Sequence, residues 1–364
     1  MKIVILGTLP KRRKKNQSFG GAEKTMINLA SYLANKGYDV TFCSVAGDNL
    51  IYPIDSSVKL IMAPVKEENR LLSQLRTFMI TRKFIRKIKP DIIVSFWLHP
   101  TLYAMKFKKK YKIIFCERNN PATIYNKLSK KLLRYILKKS NGLIFQTQGV
   151  LDQFTDLHLN HKSIVIPNPI YIDKQLFKYI EKKDNRIVTV GRLTEQKNQK
   201  LLITAFSTVQ KKYPDLTLEI FGEGSLEQEI SDQISKLDLT EKVFLKGTSK
   251  DVLNLIHTSK LFIFTSLYEG MPNALIEAQG LGIPCISADC PPGGPAYLIE
   301  EGKTGLLFEN NNLDSLIDKI NFALENYEKM ILMSKNAYEN IYLKHDQNKI
   351  FNEWEIFIKN TMKG

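Results

Sequence analysis

The sequence predicts an α/β chain of two Rossmann-like domains, each built on a parallel sheet. Three observations predict it. Short apolar runs of strand type alternate with stretches of helical periodicity along the whole chain, as buried parallel strands and their crossover helices do. Glycine turns close several of the runs, at Gly191, Gly222-Glu223-Gly224, Gly247 and Gly270. Charge divides the 364 residues in two: residues 1–180 hold 32 Lys and Arg against 11 Asp and Glu, the remainder 21 against 26. That length suits two domains with sizeable cores, and the expected division is 1–170, 171–345 and a terminal helix over 346–364. A basic half facing an anionic partner and a more acidic half suggest two tasks.

Lys2 to Leu6 reads as the first strand, since it is too short for the apolar core of a signal peptide. A loop from Gly7 to Gly21 follows and carries the run Lys11-Arg12-Arg13-Lys14-Lys15. Gly20-Gly21-Ala22-Glu23 opens a helix to about Lys36, with Met26, Leu29, Ala30 and Leu33 on its apolar face. Gly37 suits the C′ position, and Asp39 to Val45 returns as a strand. The paired glycines permit close approach to a phosphate, or simply start a helix. They depart from G-x-G-x-x-G, which counts against a nicotinamide or flavin dinucleotide.

Leu71 to Ile88 has the period of a long amphipathic helix, and Arg76, Lys83 and Lys87 recur at i, i+7 and i+11 on one face. Asp91 to Phe96 is a buried strand with His99 just past its end. Lys112 to Cys116 is another, ending at Glu117-Arg118-Asn119-Asn120-Pro121. A helix over about Tyr125 to Lys139 places Lys127, Lys131, Arg134 and Lys138 on one stripe, and Leu128, Leu132, Tyr135 and Ile136 on another. Gly142 to Thr147 is a strand, and Ile164 to Pro169 ends the domain. Two basic helices in one domain suit an anionic leaflet, at about 1 kcal/mol per basic residue near the surface; solvated helix faces are the plain alternative. No run approaches the roughly eighteen apolar residues of a membrane span, so membrane contact would be peripheral. The four cysteines lack C-x-x-C spacing or a nearby His cluster, which suits a reducing cytoplasm without disulfides or zinc.

After a charged, linker-like segment, Arg186 to Val190 starts the second run. Gly191-Arg192-Leu193 follows it, and Gln196-Lys197-Asn198 leads a helix to Lys212. Leu216 to Phe221 is a strand, Leu226 to Leu237 a helix, Val243 to Leu245 a strand and Asp251 to Thr258 a helix. Phe262 to Phe264 and Pro284 to Ser287 are strands. Cys290-Pro-Pro-Gly-Gly-Pro295 is a rigid turn before Ala296 to Glu300, and about Asp314 to Lys363 is helical. Parallel strands bring these strand ends to one sheet edge, where ligands sit in open α/β sheets.

The stretch Phe262 to Leu281 organises the site. It predicts a buried strand, a break at Gly270 and Pro272, then a helix from Asn273. The N–H groups of Met271, Pro272's neighbour, through Asn273, Ala274 and Leu275 would lack intrahelical partners and attract phosphate. Glu269 stands at the strand end. Glu277, about two turns into the helix, could reach a ribose hydroxyl. Arg192 and Lys197 would supply cations at a diphosphate, and Gly222 and Gly224 beside Glu223 would admit a base or ribose to the backbone. A cationic clamp with no carboxylate cluster implies that no metal and no other cofactor is needed.

The residues GRLTEQKN (191–198), FGEGSLEQEI (221–230) and above all EGMPNALIEA (269–278) resemble the retaining glycosyltransferases of family 4, which have the GT-B fold. The GGAEK, ERNNP, PNP and CPPGGP segments are similar too, so the resemblance spans the chain. It implies two domains facing each other across a cleft, with the terminal helix packed on the first. It implies transfer of a hexose or N-acetylhexosamine from a UDP-sugar to a polyprenyl-diphosphate-linked saccharide, at the inner face of the cytoplasmic membrane. By the resemblance Glu277 binds the donor ribose, and Arg192 and Lys197 neutralise the diphosphate. Gly270 to Leu275 hold phosphate and sugar hydroxyls, Glu269 lies near the donor sugar, and Gly20 and Gly21 touch the diphosphate. A histidine found in many relatives has no counterpart at Glu117-Arg118-Asn119; Arg118 or His99 would take its role. Lys14, Lys15, Arg76, Lys83, Lys87, Lys131 and Arg134 would face the acceptor diphosphate and the leaflet.

The rival readings are a GT-B sugar-nucleotide epimerase, an inverting transferase and a basic nucleic-acid-binding protein. The sequence lacks the RNP-like aromatics, zinc spacing and helix-turn-helix of the last, so no nucleic-acid partner is expected.

Overall fold

The structure, a computed structural model, describes residues 1–9, 21–50, 52–63, 70–118 and 120–364, with the backbone alone at residues 70 and 71. Gly20, Lys14 and Lys15, and the basic run 11–15 as a whole, lie outside the described residues.

Two parallel sheets organise the chain. The first holds β1 (Lys2–Gly7), β2 (Asp39–Ser44), β3 (Lys59–Met62), β4 (Ile92–Phe96), β5 (Lys112–Glu117), β6 (Gly142–Phe145) and β7 (Ser163–Val165), in the order β3-β2-β1-β4-β5-β6-β7. The second holds β8 (Asp184–Val190), β9 (Thr217–Phe221), β10 (Val243–Gly247), β11 (Ser259–Phe264), β12 (Cys285–Asp289) and β13 (Leu306–Glu309), in the order β10-β9-β8-β11-β12-β13. Each order reverses beside its first strand, so each sheet is doubly wound. The chain groups into one unit of residues up to Pro169 with Asn348–Gly364, and a second built on Ile170–Gln347.

The central strands are apolar on both faces because helices cover both. Ile3, Val4, Ile5 and Leu6 of β1 are fully buried, as are Ile187 and Val188 of β8 and Phe262 and Ile263 of β11. Gly37 ends the helix Gly21–Asn35 with a left-handed φ of 85°, the conformation a residue without Cβ adopts most readily.

Several elements differ from expectation. β3 and β13 were not foreseen: four residues at a sheet edge are too short for a clear period. Neither was the helix Leu98–Ala104, whose Pro100 reads as a breaker but stands in the first turn, where its missing N–H is harmless. The segment after Pro169 is no free linker. Ile170 and Ile172 are buried in the second unit's core, and a Cβ on Gly280 would come within 2.2 Å of Ile170 Cδ1. The terminal helical region is three helices, Leu313–Glu325, Tyr327–Lys344 and Gln347–Lys363. The last belongs mostly to the first unit. There Trp354 stacks on Phe96, centroids 5.7 Å apart and planes 11° off parallel, and Glu355 accepts a 2.8 Å hydrogen bond from Tyr38 Oη.

Candidate functional site

In the second sheet β8 and β11 are neighbours, but β9 lies beyond β8 and β12 beyond β11. The connections that leave their carboxyl ends therefore run in opposite directions along the sheet, which marks the topological switch point where α/β sheets take ligands. The loop after β8 runs through Gly191 and Arg192 to a 3-10 turn at Glu195–Lys197, then turns on Asn198 at a left-handed φ of 51°. The loop after β11 carries Thr265 to Pro272.

Hydrogen bonds stitch the two loops together. Leu267 N donates to Gln196 O at 2.8 Å, and Thr265 Oγ1 to Lys197 O at 2.8 Å. Gln196 Nε2 donates to Tyr268 O at 3.0 Å and to Glu269 Oε1 at 3.1 Å. Lys197 forms an ion pair with Glu269, their side chains 16% and 14% exposed, and its ammonium stands 5.0 Å from the Phe264 ring centroid. Ser266 Oγ reaches Glu269 Oε1 at 3.4 Å. The Cys290–Pro295 turn closes the back of the site. Glu269 N donates to Pro291 O at 3.0 Å, and a Cβ on Gly294 would lie 2.2 Å from Gly270 O. Burial raises the nearby Cys290 thiol to about 12, and the Glu269 carboxylate adds to the shift.

The glycines of this edge make room for the protein's own backbone. A Cβ on Gly222, whose φ is 137°, would fall 2.0 Å from Gly191 O, and one on Gly224 would fall 2.1 Å from Leu193 O. The loops after β8 and β9 are thereby pressed together, with Gly191 N on Phe221 O at 2.9 Å and Leu193 N on Glu223 O at 3.0 Å. Approach of a base or ribose is not needed to explain these two glycines. The Glu223 carboxylate accepts from Thr248 Oγ1 at 3.0 Å. Arg192 is exposed, and its carbonyl accepts from Gln199 Nε2 at 2.9 Å.

The helix Asn273–Gly280 starts on Pro272. Leu275 N already donates to Pro272 O at 3.1 Å, so its amide is not among the open ones expected. Glu277 stands four residues in, roughly 6 Å or one turn along the axis rather than two, and is half-buried. Met271 is buried.

Sequence reasoning missed Gln196, Ser266 and Gly294 as site residues. Gln196 had a signal, its place beside Lys197, and Gly294 lies in the CPPGGP segment noted above; Ser266 had none, because its role depends on loops meeting across the sheet. Asn310 is a further case: its Nδ2 holds Leu267 O at 3.0 Å from the loop after β13.

In the first unit Gly21 opens its helix. Arg118 is 7% exposed, its guanidinium 5.4 Å from the Trp354 ring centroid and 5.8 Å from that of Phe96. His99 is exposed. Lys83, Lys87 and Lys131 are exposed, and Arg134 is paired with Asp156. The stripe of apolar residues expected to pack the helix Lys127–Lys139 is partly outward: Leu128 is 67% and Tyr135 44% exposed, while Leu133, Ile136 and Leu137 are buried. Leu72, Leu75 and Met79 are likewise exposed on the helix Arg70–Ile88, and Met79 lines an open groove with Arg82, Lys83, Arg86 and Lys87. No helix among the described residues is long and apolar enough to cross a membrane.

Residues 172–340 match the family of glycosyl transferases group 1, and residues 19–174 match glycosyltransferase family 4. An uncharacterized glycosyltransferase of Methanocaldococcus jannaschii is 31% identical, over 84% of this chain and 88% of that protein. The N-acetylgalactosamine-N,N'-diacetylbacillosaminyl-diphospho-undecaprenol 4-alpha-N-acetylgalactosaminyltransferase of Campylobacter jejuni is 27% identical, over 88% and 90%. Among solved structures, Anabaena Alr3699/HepE in complex with UDP superposes with a TM-score of 0.81 at 18% identity, covering 99% of this chain and all of that one. The two doubly wound sheets are those of the GT-B fold.

Proposed function

This chain belongs to the group 1 and family 4 glycosyltransferases, and on that premise we propose that it transfers a hexose or N-acetylhexosamine from a UDP-sugar to a polyprenyl-diphosphate-linked saccharide, with retention of the α configuration, in the assembly of a bacterial surface glycan. The observation that carries the proposal is the Lys197–Glu269 pair at the β8/β11 switch point, beside Arg192 and the start of the helix Asn273–Gly280. Relatives named for transfer to an undecaprenyl-diphosphate-linked acceptor and a structural neighbour holding UDP support the substrate classes.

In this reading Lys197 and Arg192 take the negative charge that develops on the departing diphosphate, Lys197 from a position fixed beforehand by Glu269. Two cations and backbone amides do this work without a divalent ion. Glu269 accepts from Lys197, Gln196 and Ser266 on the same oxygen, Oε1. That engagement favours an orienting role for Glu269 over attack on the sugar. The acceptor hydroxyl then enters from the face the diphosphate leaves, and the leaving phosphate helps remove its proton. Glu277 holds the donor ribose. The exposed Leu72, Leu75 and Met79 among Arg82, Lys83, Arg86 and Lys87 favour a peripheral seat on an anionic leaflet, where apolar side chains and cations both find partners.

A donor screen tests the proposal. UDP release is measured across UDP-sugars with a short-chain polyprenyl-diphosphate N-acetylhexosamine as acceptor, and the anomeric configuration of the product is read by NMR. Turnover with one UDP-sugar and an α product is expected, and Lys197→Ala and Glu277→Ala should each lower it by about 10²-fold while the fold survives. Near-normal turnover by both variants, or a β product, contradicts it.

A further inference from the structure

We propose that the Trp97 indole is a stacking platform for a pyranose ring of the acceptor saccharide. The inference rests on the glycan-bearing acceptor proposed above.

Trp97 follows β4 directly, and β4 is the neighbour of β1 across which the first sheet reverses its order. It therefore stands at the switch point of the first unit, the counterpart of the Lys197–Glu269 pair in the second. Its backbone lies at φ 66° and ψ 153°, a region occupied essentially by glycine alone, and such strain persists only where the surroundings impose it. Here they do. Thr101 Oγ1 donates to Trp97 O at 2.8 Å and lies 2.8 Å from Ser95 Oγ, within hydrogen-bond distance. A Cβ on Gly7, the last residue of β1, would fall 2.6 Å from Met26 Sδ and 2.8 Å from Trp97 Cζ3, so the glycine leaves room for both side chains.

The largest side chain is thus held in a glycine-like conformation at a ligand edge, over a glycine that leaves it room. A role confined to packing does not require this, since Phe96 beside it already fills the core from an ordinary strand position. The indole remains partly exposed.

The carboxyl edge of the same sheet carries Glu117 on β5, Asn120 after it, Gln146 after β6 and Asn168 after β7, all polar and all buried. Gln146 Nε2 donates to Asn168 Oδ1 at 3.0 Å, and Gln153 Nε2 to Asn120 Oδ1 at 3.1 Å. These groups are held in the protein's own hydrogen bonds, so the ligand class rests on the indole itself, whose flat face suits the apolar C–H face of a pyranose ring of the acceptor proposed above.

The test uses the tryptophan count. The chain has two tryptophans, and Trp354 is fully buried, so in a Trp354→Phe background Trp97 alone emits. The probes are farnesyl-diphospho-N-acetylglucosamine and farnesyl diphosphate. The saccharide-bearing probe should change Trp97 emission saturably and farnesyl diphosphate should not. In kinetics on the otherwise unaltered chain, Trp97→Leu should raise the acceptor KM about tenfold, the worth of one aromatic contact, with the donor KM unchanged. Trp97→Phe should recover most of the loss. Trp97→Gly should match the leucine variant in acceptor KM yet melt higher, because glycine relieves the backbone.

An unchanged acceptor KM in all three variants, while the wild type turns over the probe, overturns the platform and leaves the transferase reading standing. An equal response to farnesyl diphosphate overturns the saccharide assignment in favour of the lipid chain. Failure of the wild type to glycosylate any sugar-lipid defeats the underlying reading as well.

Discussion

Lys197 and Glu269, 72 residues apart in the chain, are ion-paired across the switch point of the second sheet. Each is mostly shielded from water, so removing one leaves the other as a poorly solvated charge beside the Phe264 ring. Glu269→Gln and Lys197→Ala should each lower kcat/KM by about 10²-fold, the scale for losing one fixed electrostatic contact. The double variant should lose little more than the worse single one, because the two act as a unit. Losses that simply multiply would show that the pair does not work together.

The close backbone approaches predict unequal glycine costs. Gly224→Ala must part the loops after β8 and β9, since its Cβ would meet Leu193 O at 2.1 Å, and should cost at least about 2 kcal/mol in urea unfolding. Gly302, with φ 73° and nothing within 4 Å of its Cβ position, should cost only about 1 kcal/mol on change to Ala, for backbone handedness. Equal costs would mean that the loops after β8 and β9 are not pressed together.

Lys183 supplies a pH test. Its ammonium donates to His257 O at 3.1 Å, and burial lowers its pKa from 10.5 to about 8. Between those values the unfolded chain binds more protons than the folded one, so stability rises with pH across that window. Below about pH 8 the penalty of burying the charge is present in full. Relative to wild type, Lys183→Met should therefore be most favourable at pH 7 and lose that advantage progressively between about pH 8 and 10.5, as read from melting temperatures. An advantage that grows with pH would refute the sign.

The terminal helix is anchored by Trp354, which stacks on Phe96 and is fully buried. Its Nε1 has no hydrogen-bond partner among the described residues. Trp354→Ala should cost about 3–5 kcal/mol through the cavity it leaves. Trp354→Phe should cost about 1 kcal/mol or less, because it also removes a buried donor that is unsatisfied. Chemical denaturation of the two variants decides this, and a phenylalanine variant as unstable as the alanine one would contradict it.

Much of this molecule was legible locally. The central strands announced themselves as continuous apolar runs, and the long helices by their period. The sequence also pointed to Lys197, Glu269 and Arg192 together, because glycine turns after apolar runs mark strand ends. Reading failed where a fact depended on distant partners. Edge strands β3 and β13 are stabilised by the neighbour they pair with rather than by a pattern of their own. Leu128 and Tyr135 share a stripe with Ile136 on a helical wheel, yet they are exposed while Leu133, Ile136 and Leu137 enter the first unit's core.

By itself the sequence determined the fold class, the two-part organisation and the family, since each is written in short-range periodicity and in contiguous motifs. Only the tertiary structure decided that Lys197 meets Glu269, that Gly222 and Gly224 serve neighbouring backbone, that the last helix stacks on Phe96, and that Trp97 is held in a glycine's conformation. Each of these is a meeting of atoms far apart along the chain, set by strand order and register, and strand order is not a property of any local stretch.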